Sequence, residues 1–289
     1  MGFTELNVII PCYNEESSIF NTIMTVDKIL SSEGISFRII VVNDGSTDNS
    51  AAEIEKAGNK VHLISVKPNM GYGHAIKKGL QAVQSGWIAI IDADLTYRPE
   101  DLITLWQNRE NSDMIVGSRT GKNVQVPLLR RPMKYFLTKF ASWLVDCTIP
   151  DLNSGIRIFK KEDALRFFRL YPNGFSFTTT ITMSYLSSGL NVLFLPIDYQ
   201  KREGKSKIRP IHDSYQFLLL LIKLSVYYNP LRVFLPISLF TFILSIISLV
   251  YDIFYIQNIG DKSVLLIMVS ILVFLLGLLA DLIIKRTSE

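Results

Sequence analysis

Two long apolar segments near the carboxyl end of the chain constrain its fold more than any other feature. The segments, 233–256 and 264–284, each hold about 20 mostly apolar residues, the length that an α-helix needs to span a bilayer. The pattern predicts a transmembrane hairpin within residues 231–289. A hairpin that is buried in a protein core is the alternative.

Basic residues flank this hairpin on the side of the two chain ends. Lys223 and Arg232 precede it, Lys285 and Arg286 follow it, and the linker 257–263 between the two segments holds one lysine. Positively charged flanks tend to stay in the cytosol. We therefore predict an integral membrane protein whose two termini face the cytosol, together with the part of the chain before the hairpin.

Residues 211–230, directly before the hairpin, have a helical period and many apolar side chains. The presence of Lys223, Tyr227 and Tyr228 is typical of an amphipathic helix that lies in the membrane interface. An ordinary core helix is the alternative.

The net charge and the number of cysteines indicate which binding partners and which cellular compartment to expect. The formal net charge is +4, which is too small to indicate a nucleic-acid-binding protein. The two cysteines, Cys12 and Cys147, lack the spacing of a metal site or of a disulfide framework, which fits a reducing compartment. Residues 1–7 carry no basic region followed by an apolar stretch, so we expect no signal peptide.

An apolar run from Trp87 to Ile91 ends abruptly in Asp92 and Asp94. Such a run is typical of a buried strand in a parallel sheet, and the carboxyl ends of these strands border the ligand crevice of open α/β sheets. In an extended chain the two carboxylates point to the same side and can hold a hard divalent cation. The alternative is that they cap the next helix, whose first turn would begin near Pro99.

Apolar strands and amphipathic helices alternate through residues 1–210, which predicts a doubly wound, mostly parallel α/β domain. The predicted strands are 6–11, 36–43, 61–66, 87–91, 114–119, 156–159 and 191–199.

Four loops after these strands should converge on one crevice. They are 11–15, 44–48, 69–73 and 92–96. The glycine patterns of a dinucleotide site and of a P-loop are absent from the sequence. A carboxylate-rich crevice of this kind suits a nucleotide whose pyrophosphate is bridged by a divalent ion.

Seven motifs along residues 1–210 resemble, in their order, those of family 2 glycosyltransferases. The likeness extends to the branch that holds dolichyl-phosphate mannose synthases and polyprenyl-phosphate glucosyltransferases. The motifs are Pro11-Cys12-Tyr13-Asn14-Glu15, Asp44-Gly45-Ser46-Thr47-Asp48, Asn69-Met70-Gly71-Tyr72-Gly73, Asp92-Ala93-Asp94, Gly117-Ser118-Arg119, Asn153-Ser154-Gly155-Ile156-Arg157 and Arg202-Glu203-Gly204-Lys205-Ser206-Lys207.

The resemblance implies a GT-A fold for residues 1–210 and a membrane anchor for the hairpin. It also implies the inverting transfer of one hexose from a nucleotide sugar to a polyprenyl or dolichyl phosphate at the cytosolic membrane face. Both GDP-mannose and UDP-glucose remain candidate donors. The partners would then be this donor, the lipid phosphate and the bilayer, and the sequence leaves the oligomeric state open.

The resemblance also suggests which residues bind the donor and a metal. Asp92, Asp94 and Thr96 are the expected ligands of Mg²⁺ or Mn²⁺, although Thr96 stands where mannose synthases have a glutamine. Asp92 and Asp94 are also expected to contact the donor, and Ala93 would contact it through its backbone. The other expected donor contacts are Pro11, Tyr13, Glu15, Val42 and Asp44.

Cationic side chains are needed to hold two anions near each other. Arg119, Arg130, Arg131 and Lys205 are expected at the acceptor phosphate, and Arg202 and Lys207 at the donor. The basic loop 201–209 could close over the donor, or it could be a flank that contacts anionic lipid.

Catalysis would then rest on Asp94, Asp151 and Arg119. Asp151 is expected to orient the acceptor or to act as a base, with an Asx turn before the next strand as the structural alternative.

Two other functions compete with this hypothesis. A processive polysaccharide synthase would share the first domain, but such enzymes carry a Gln-x-x-Arg-Trp motif and more membrane helices than this sequence has. A catalytically silent, membrane-bound protein that binds nucleotide sugars is the third hypothesis, and a metal-dependent turnover assay separates it from the enzymes.

Overall fold

The structure is a computed structural model that describes residues 5–121, 131–174, 176–200 and 210–287, without the side chains of 131–134, 210–216 and 287. The chain divides into two compact units, Met1–Phe217 and Leu218–Glu289, and each is described by itself.

The first unit contains a seven-stranded sheet with helices between its strands. The strands are β1 (Leu6–Cys12), β2 (Phe37–Asp44), β3 (Val61–Val66), β4 (Trp87–Ile90), β5 (Met114–Ser118), β6 (Arg157–Lys160) and β7 (Val192–Pro196). The helices are α1 (Ile19–Ser32), α2 (Ser50–Glu55), α3 (Tyr72–Ala82), α4 (Asp101–Gln107), α5 (Arg131–Val145), α6 (Lys161–Arg166), α7 (Phe177–Ser187) and α8 (Pro210–Tyr228), the last of which continues into the second unit.

The strands lie in the order β3-β2-β1-β4-β6-β5-β7, and all neighbouring pairs are parallel except those of β6. Strand β6 runs antiparallel between β4 and β5, with Arg157 opposite both Ile90 and Val116. The predicted strands and the mostly parallel α/β sheet are therefore confirmed. Because β6 is reversed, its amino end lies beside the carboxyl ends of β4 and β5.

Apolar burial on both faces explains why β1 and β4 form the centre of this sheet. All four residues of β4 are buried, as are six of the seven residues of β1. Helix α1 adds Ile19, Ile23, Val26 and Leu30, which recur every three or four residues on one face and are fully buried.

One local prediction is wrong. Strand β4 ends at Ile90, and the chain then turns, with Leu95 in the left-handed region at φ 56°. Asp94 therefore lies in a turn and Asp92 directly before it, and both lie beyond the end of the strand. The turn forms because the Asp94 carboxylate accepts hydrogen bonds from both the backbone N–H and the hydroxyl of Thr96.

The second unit is a helical hairpin. It consists of α9 (Leu231–Tyr251), which ends in a π-helical turn (Asp252–Ile256), and α10 (Asp261–Thr287). Two candidate membrane spans, Leu231–Ile256 and Asp261–Arg286, match the predicted segments. Most of their large apolar side chains face outward, which fits a lipid environment better than the core of a soluble protein.

Polar groups join the two helices of the hairpin at several levels. The hydroxyl of Ser238 donates to the backbone oxygen of Ser270 at 3.0 Å. At the turn, buried Asp252 accepts hydrogen bonds from the Gly260 backbone and from the hydroxyl of Ser263. These bonds satisfy groups that would otherwise be costly in hydrocarbon.

The stability of the first unit should depend on pH through Asp101, at the start of α4. Burial raises the pKa of this carboxyl from 3.8 to about 6, with Arg98 opposing the shift and Glu100 and Asp198 adding to it. Because the folded pKa exceeds the unfolded one, ionisation costs stability, and this cost develops between about pH 4 and pH 6. Asp101→Asn should therefore raise the thermal midpoint by an amount that grows over this range and stays constant above it.

The measurement is calorimetry of the full chain in detergent at pH 4.5, 5.5, 6.5 and 7.5. Glu110→Gln, which neutralises an exposed carboxylate on the surface, is the matched control. A midpoint difference that does not vary with pH would contradict the role given to Asp101.

Candidate active site

Reciprocal hydrogen bonds join the loops that follow β1 and β2. The backbone N–H of Asn14 donates to the hydroxyl of Ser46 at 3.0 Å, and the Asn14 side chain accepts from the Thr47 backbone at 2.7 Å. The Glu15 backbone donates in the same way to Ser50 at 2.8 Å. The predicted donor contacts Tyr13 and Glu15 therefore lie in a loop whose backbone is fixed, and both side chains are half-buried.

Asp44, at the end of β2, joins these loops to the one that precedes α3. Its carboxylate accepts hydrogen bonds from the backbone N–H groups of Met70 and Gly71, the latter at 2.7 Å, and lies 3.4 Å from Nδ1 of His74. Only 2% of Asp44 is exposed. Its predicted contact with a base or ribose stays a prediction, and its observed bonds hold two loops together.

Two further donor residues lie beside one another in the sheet. Pro11 on β1 pairs in register with Val42 on β2, and the side chain of Val42 is fully buried. Ala93 follows β4, and its backbone oxygen accepts a hydrogen bond from Thr22 on α1 at 3.0 Å. Their roles in donor binding stay predictions.

Asp92 and Asp94 lie at the carboxyl end of β4, and both are half-buried. The phenol of Tyr72 donates to Oδ1 of Asp92 at 3.1 Å, and the hydroxyl of Thr96 donates to Oδ1 of Asp94 at 2.6 Å. Burial and then the Asp92 carboxylate raise the pKa of Tyr72, so its phenol remains protonated. Each aspartate therefore has one oxygen held by a neighbouring hydroxyl.

The motif Asn153-Ser154-Gly155 lies directly beneath Asp92. A Cβ added to Gly155 would stand 2.5 Å from Oδ2 of Asp92, so only glycine leaves room for this carboxylate. The backbone N–H of Gly155 donates to the phenol oxygen of Tyr97 at 2.7 Å, and the hydroxyl of Ser154 donates to the backbone oxygen of Gly117. The motif therefore forms a fixed floor for the site.

Arg119 and Asp151 form a two-pronged ion pair beside this floor. Nε of Arg119 lies 2.6 Å from Oδ2 of Asp151, and Nη2 lies 2.9 Å from Oδ1. Asp151 is fully buried, and the Arg119 guanidinium stacks over the ring of Tyr199 with its carbon 5.1 Å from the ring centre. The sequence predicted separate roles for Arg119 and Asp151, and the structure joins the two side chains in one ion pair.

Arg157, the first residue of β6, is a fully buried cation under the same floor. Its guanidinium donates to the backbone oxygens of Thr178 and Ser154 and to the hydroxyl of Thr182. Nε has no hydrogen-bond partner in the part of the chain that the structure describes. Burial lowers the pKa of Arg157, and nearby groups that include Asp151 and Asp92 oppose this shift. A positive charge therefore lies close to the carboxylates of the site.

Five predicted cationic side chains lie outside the described part of the structure. Arg130, Arg202, Lys205 and Lys207 lie outside the described residues, and only the backbone of Arg131 is described. Their predicted contacts with donor and acceptor stay predictions.

The donor set at the end of β4 fits a hard divalent cation. Asp92 and Asp94 offer carboxylate oxygens that are partly exposed, and Mg²⁺ and Mn²⁺ prefer oxygen ligands with substrate phosphates as further partners. Within the described ranges, no three His, Cys, Asp or Glu side chains group as a metal site. The phosphates of a nucleotide would supply further ligands of a bound ion, and the role of Thr96 as a ligand stays a prediction.

Sequence reasoning gave no role to Tyr72 and missed the contact of Gly155 with Asp92. The only signal for Tyr72 was its place between two glycines at the start of a helix. For Gly155 the signal was a glycine directly before an apolar strand. Both contacts cross between elements that are far apart in sequence, so their partners could not be inferred from spacing.

Comparison with protein families gives two matches along the chain. The family described as glycosyl transferase family 2 matches residues 7–180. The family described as the GtrB C-terminal hairpin matches residues 229–285.

Curated relatives and solved structures agree with these matches. The low-salt glycan biosynthesis hexosyltransferase Agl6 of Haloferax volcanii is 29% identical and aligns with 73% of this chain and 51% of its own length, so the chain spans about half of that relative. The dolichyl-phosphate hexose transferase of the same organism is 27% identical over 72% of this chain and 88% of its own length.

Among solved structures, glucosyl-3-phosphoglycerate synthase from Mycobacterium tuberculosis, crystallised with Mn²⁺, UDP and phosphoglyceric acid, has a TM-score of 0.60. It is 17% identical and covers 77% of this chain and 78% of its own chain. This likeness shows that the fold of the first unit is the GT-A fold.

Removal of Asp151 should destabilise the first unit strongly. Asp151→Ala leaves the guanidinium of Arg119 in a largely buried position without its carboxylate, which typically costs about 3–5 kcal/mol in the free energy of unfolding. The measurement is urea unfolding of the full chain in detergent, followed by tryptophan fluorescence.

The double variant Asp151→Ala/Arg119→Ala serves as the control in a mutant cycle. We expect its loss of stability to be much smaller than the sum of the two single losses. Additive losses would show that the two side chains act independently.

Proposed function

Because this chain belongs to glycosyl transferase family 2, we propose that it transfers a single hexose from a nucleotide sugar to a polyprenyl or dolichyl phosphate. The candidate donors are GDP-mannose and UDP-glucose. In the reaction the bond between the sugar C1 and the nucleoside diphosphate breaks, and a phosphate oxygen of the lipid forms the new bond to C1 from the opposite face. The nucleoside diphosphate leaves with the electron pair, and the configuration at C1 inverts.

The charge distribution of the site supports this reaction. Asp92 and Asp94 would hold a divalent ion together with a nucleoside diphosphate, and the ion would supply Lewis-acid stabilisation of the leaving group. The acceptor phosphate is already anionic at neutral pH and needs little help from a base. The task left for the protein is to hold two anions together, and we assign it to Arg119, a cation beside the floor of the site.

Asp151 is proposed to orient Arg119 and not to remove a proton. Both of its carboxylate oxygens accept hydrogen bonds from Arg119, and the residue is fully buried. A carboxylate in this state positions a cation well, and its burial keeps it away from a bulky acceptor.

The main support for a lipid acceptor is an exposed aromatic face on α5. Leu137, Ala141 and Leu144 of this helix are buried, whereas Tyr135, Phe136 and Trp143 are exposed by 66%, 54% and 50%. The rings of Phe136, Phe140 and Trp143 stack in sequence along the helix. Aromatic rings that are exposed in this way are typical of helices in the membrane interface.

Basic residues complete this surface. Lys139 lies over the ring of Tyr135, and α5 begins at Arg131, which follows Arg130 in the sequence. A helix with aromatic rings in the interface would hold its basic amino end at the depth of lipid phosphates. We therefore assign α5 to the surface that meets the lipid acceptor.

Residues 231–289 would anchor this domain in the membrane, with both termini in the cytosol, and residues 211–230 would lie in the interface. The match to the GtrB C-terminal hairpin and the two candidate spans support the anchor. The similarity to a dolichyl-phosphate hexose transferase supports the class of acceptor.

The transfer assay tests the proposal directly. The full chain in detergent should convert a polyprenyl phosphate into its sugar-linked product with GDP-mannose or with UDP-glucose, and EDTA should stop the reaction. Asp94→Ala should abolish transfer because it removes a proposed metal ligand, while membrane insertion stays intact. Product is measured by thin-layer chromatography of radiolabelled lipid.

Asp27→Ala is the matched control, because it removes a carboxylate from the outer face of α1, where Asp27 pairs with Lys60. Full activity of Asp94→Ala would contradict the metal site. A wild-type chain that binds nucleotide but transfers no sugar from either donor would favour the silent binding protein.

The aromatic face of α5 can be tested with the three tryptophans of the chain. Trp87 and Trp106 are 8% and 7% exposed, so Trp143 should be the one that brominated lipid quenches. In nanodiscs with brominated phosphatidylcholine, we expect quenching of the wild-type protein and its loss in Trp143→Phe. Trp106→Phe, which keeps Trp143, should retain the quenching, and equal quenching in both variants would argue against interfacial contact.

A further inference from the structure

We propose that Tyr72 is a positioning residue, which fixes the carboxylate of Asp92 in the orientation in which it receives the donor and its divalent cation. The hydrogen bond from the Tyr72 phenol to Oδ1 of Asp92 is the contact on which this inference rests. The inference depends on the proposed function, because it assigns a task beside the proposed donor site.

The position of Tyr72 is set by its backbone. Tyr72 is the first residue of α3, and Gly71 before it has φ 106°, which favours glycine. The Gly71 backbone donates to Asp44 at 2.7 Å, and a Cβ on Gly73 would overlap the backbone oxygen of Pro172. Contacts on both sides therefore hold the start of the helix, and the phenol is presented to Asp92 from a rigid element.

Asp92 is confined from the other side by Gly155. The Gly155 backbone lies directly against Oδ2, and its N–H is fixed by Tyr97, which is 2% exposed. The carboxylate therefore lies between a hydroxyl on one oxygen and a backbone floor under the other. The second torsion of an aspartate is otherwise broad, so these two contacts select one orientation from many.

This arrangement has a consequence for cation binding. A carboxylate that is already oriented loses less conformational freedom when it binds a metal–nucleotide complex. Partners that orient a ligand in this way typically contribute about 10–100-fold to metal affinity. Tyr72 should therefore affect the affinity for the cation more than the rate at saturating cation.

The experiment compares Tyr72→Phe with the wild-type full chain in detergent. Binding of Mn²⁺ is measured by electron paramagnetic resonance, first with UDP and then with GDP. We expect Tyr72→Phe to bind Mn²⁺ about 10-fold more weakly. In the transfer assay the half-saturating Mn²⁺ concentration should rise by the same factor, and the rate at saturating Mn²⁺ should return to near the wild-type value.

Tyr185→Phe is the matched control. It also removes one phenol from the first unit, where Tyr185 donates to the backbone oxygen of Lys160 at 3.3 Å. Its Mn²⁺ affinity should equal that of the wild type. If Tyr72→Phe retains the wild-type Mn²⁺ affinity, or loses it only as much as Tyr185→Phe, the role of Tyr72 is refuted.

A second pair of variants tests the floor without changing a polar group. Gly155→Ala should displace Asp92 and weaken Mn²⁺ binding at least as much as Tyr72→Phe, whereas Gly174→Ala, with no atom within 4 Å of the added carbon, should not. Unchanged Mn²⁺ binding in Gly155→Ala would overturn the inference even if Tyr72→Phe failed to fold.

A wild-type chain that binds Mn²⁺ but transfers no sugar would refute the proposed function alone.

Discussion

The reversed strand β6 is the constraint on which the candidate site depends. Strands β4 and β5 both end at the site, and a parallel strand between them would begin at the far edge of the sheet. Because β6 is antiparallel, the segment 151–156 before it enters from the site edge. One short segment thereby places Asp151 beside Arg119 and Gly155 beneath Asp92.

Charged side chains of both signs surround this segment. The carboxylates of Asp92 and Asp94 are half-buried, Arg119 and Asp151 form an ion pair, and Arg157 is fully buried. Burial of a cation is costly unless nearby anions and carbonyl oxygens compensate. The carbonyl oxygens come from α7 and the loop before β6, so the packing of that helix is linked to the electrostatics of the site.

Sequence patterns predicted the strands well because apolar burial dictates them. The runs at β1 and β4 are buried at nearly every position, so their composition alone identifies them. The direction of β6, the turn after Ile90 and the bonds of Asp44 could not be predicted in this way. The direction of β6 and the bonds of Asp44 depend on contacts between segments that are far apart in the chain, such as those of Asp44 with the backbone N–H groups of Met70 and Gly71.

The aromatic face of α5 has a practical consequence for work with the isolated catalytic domain. Deletion of the hairpin would remove the two apolar spans but would leave Phe136 and Trp143 on the surface of the first unit. In such a truncated protein these rings would still be buried, either in bound detergent or in contacts between two copies of the domain. Its apparent size in gel filtration would then depend on the detergent that accompanies it, and a dimer peak would not by itself demonstrate a native assembly.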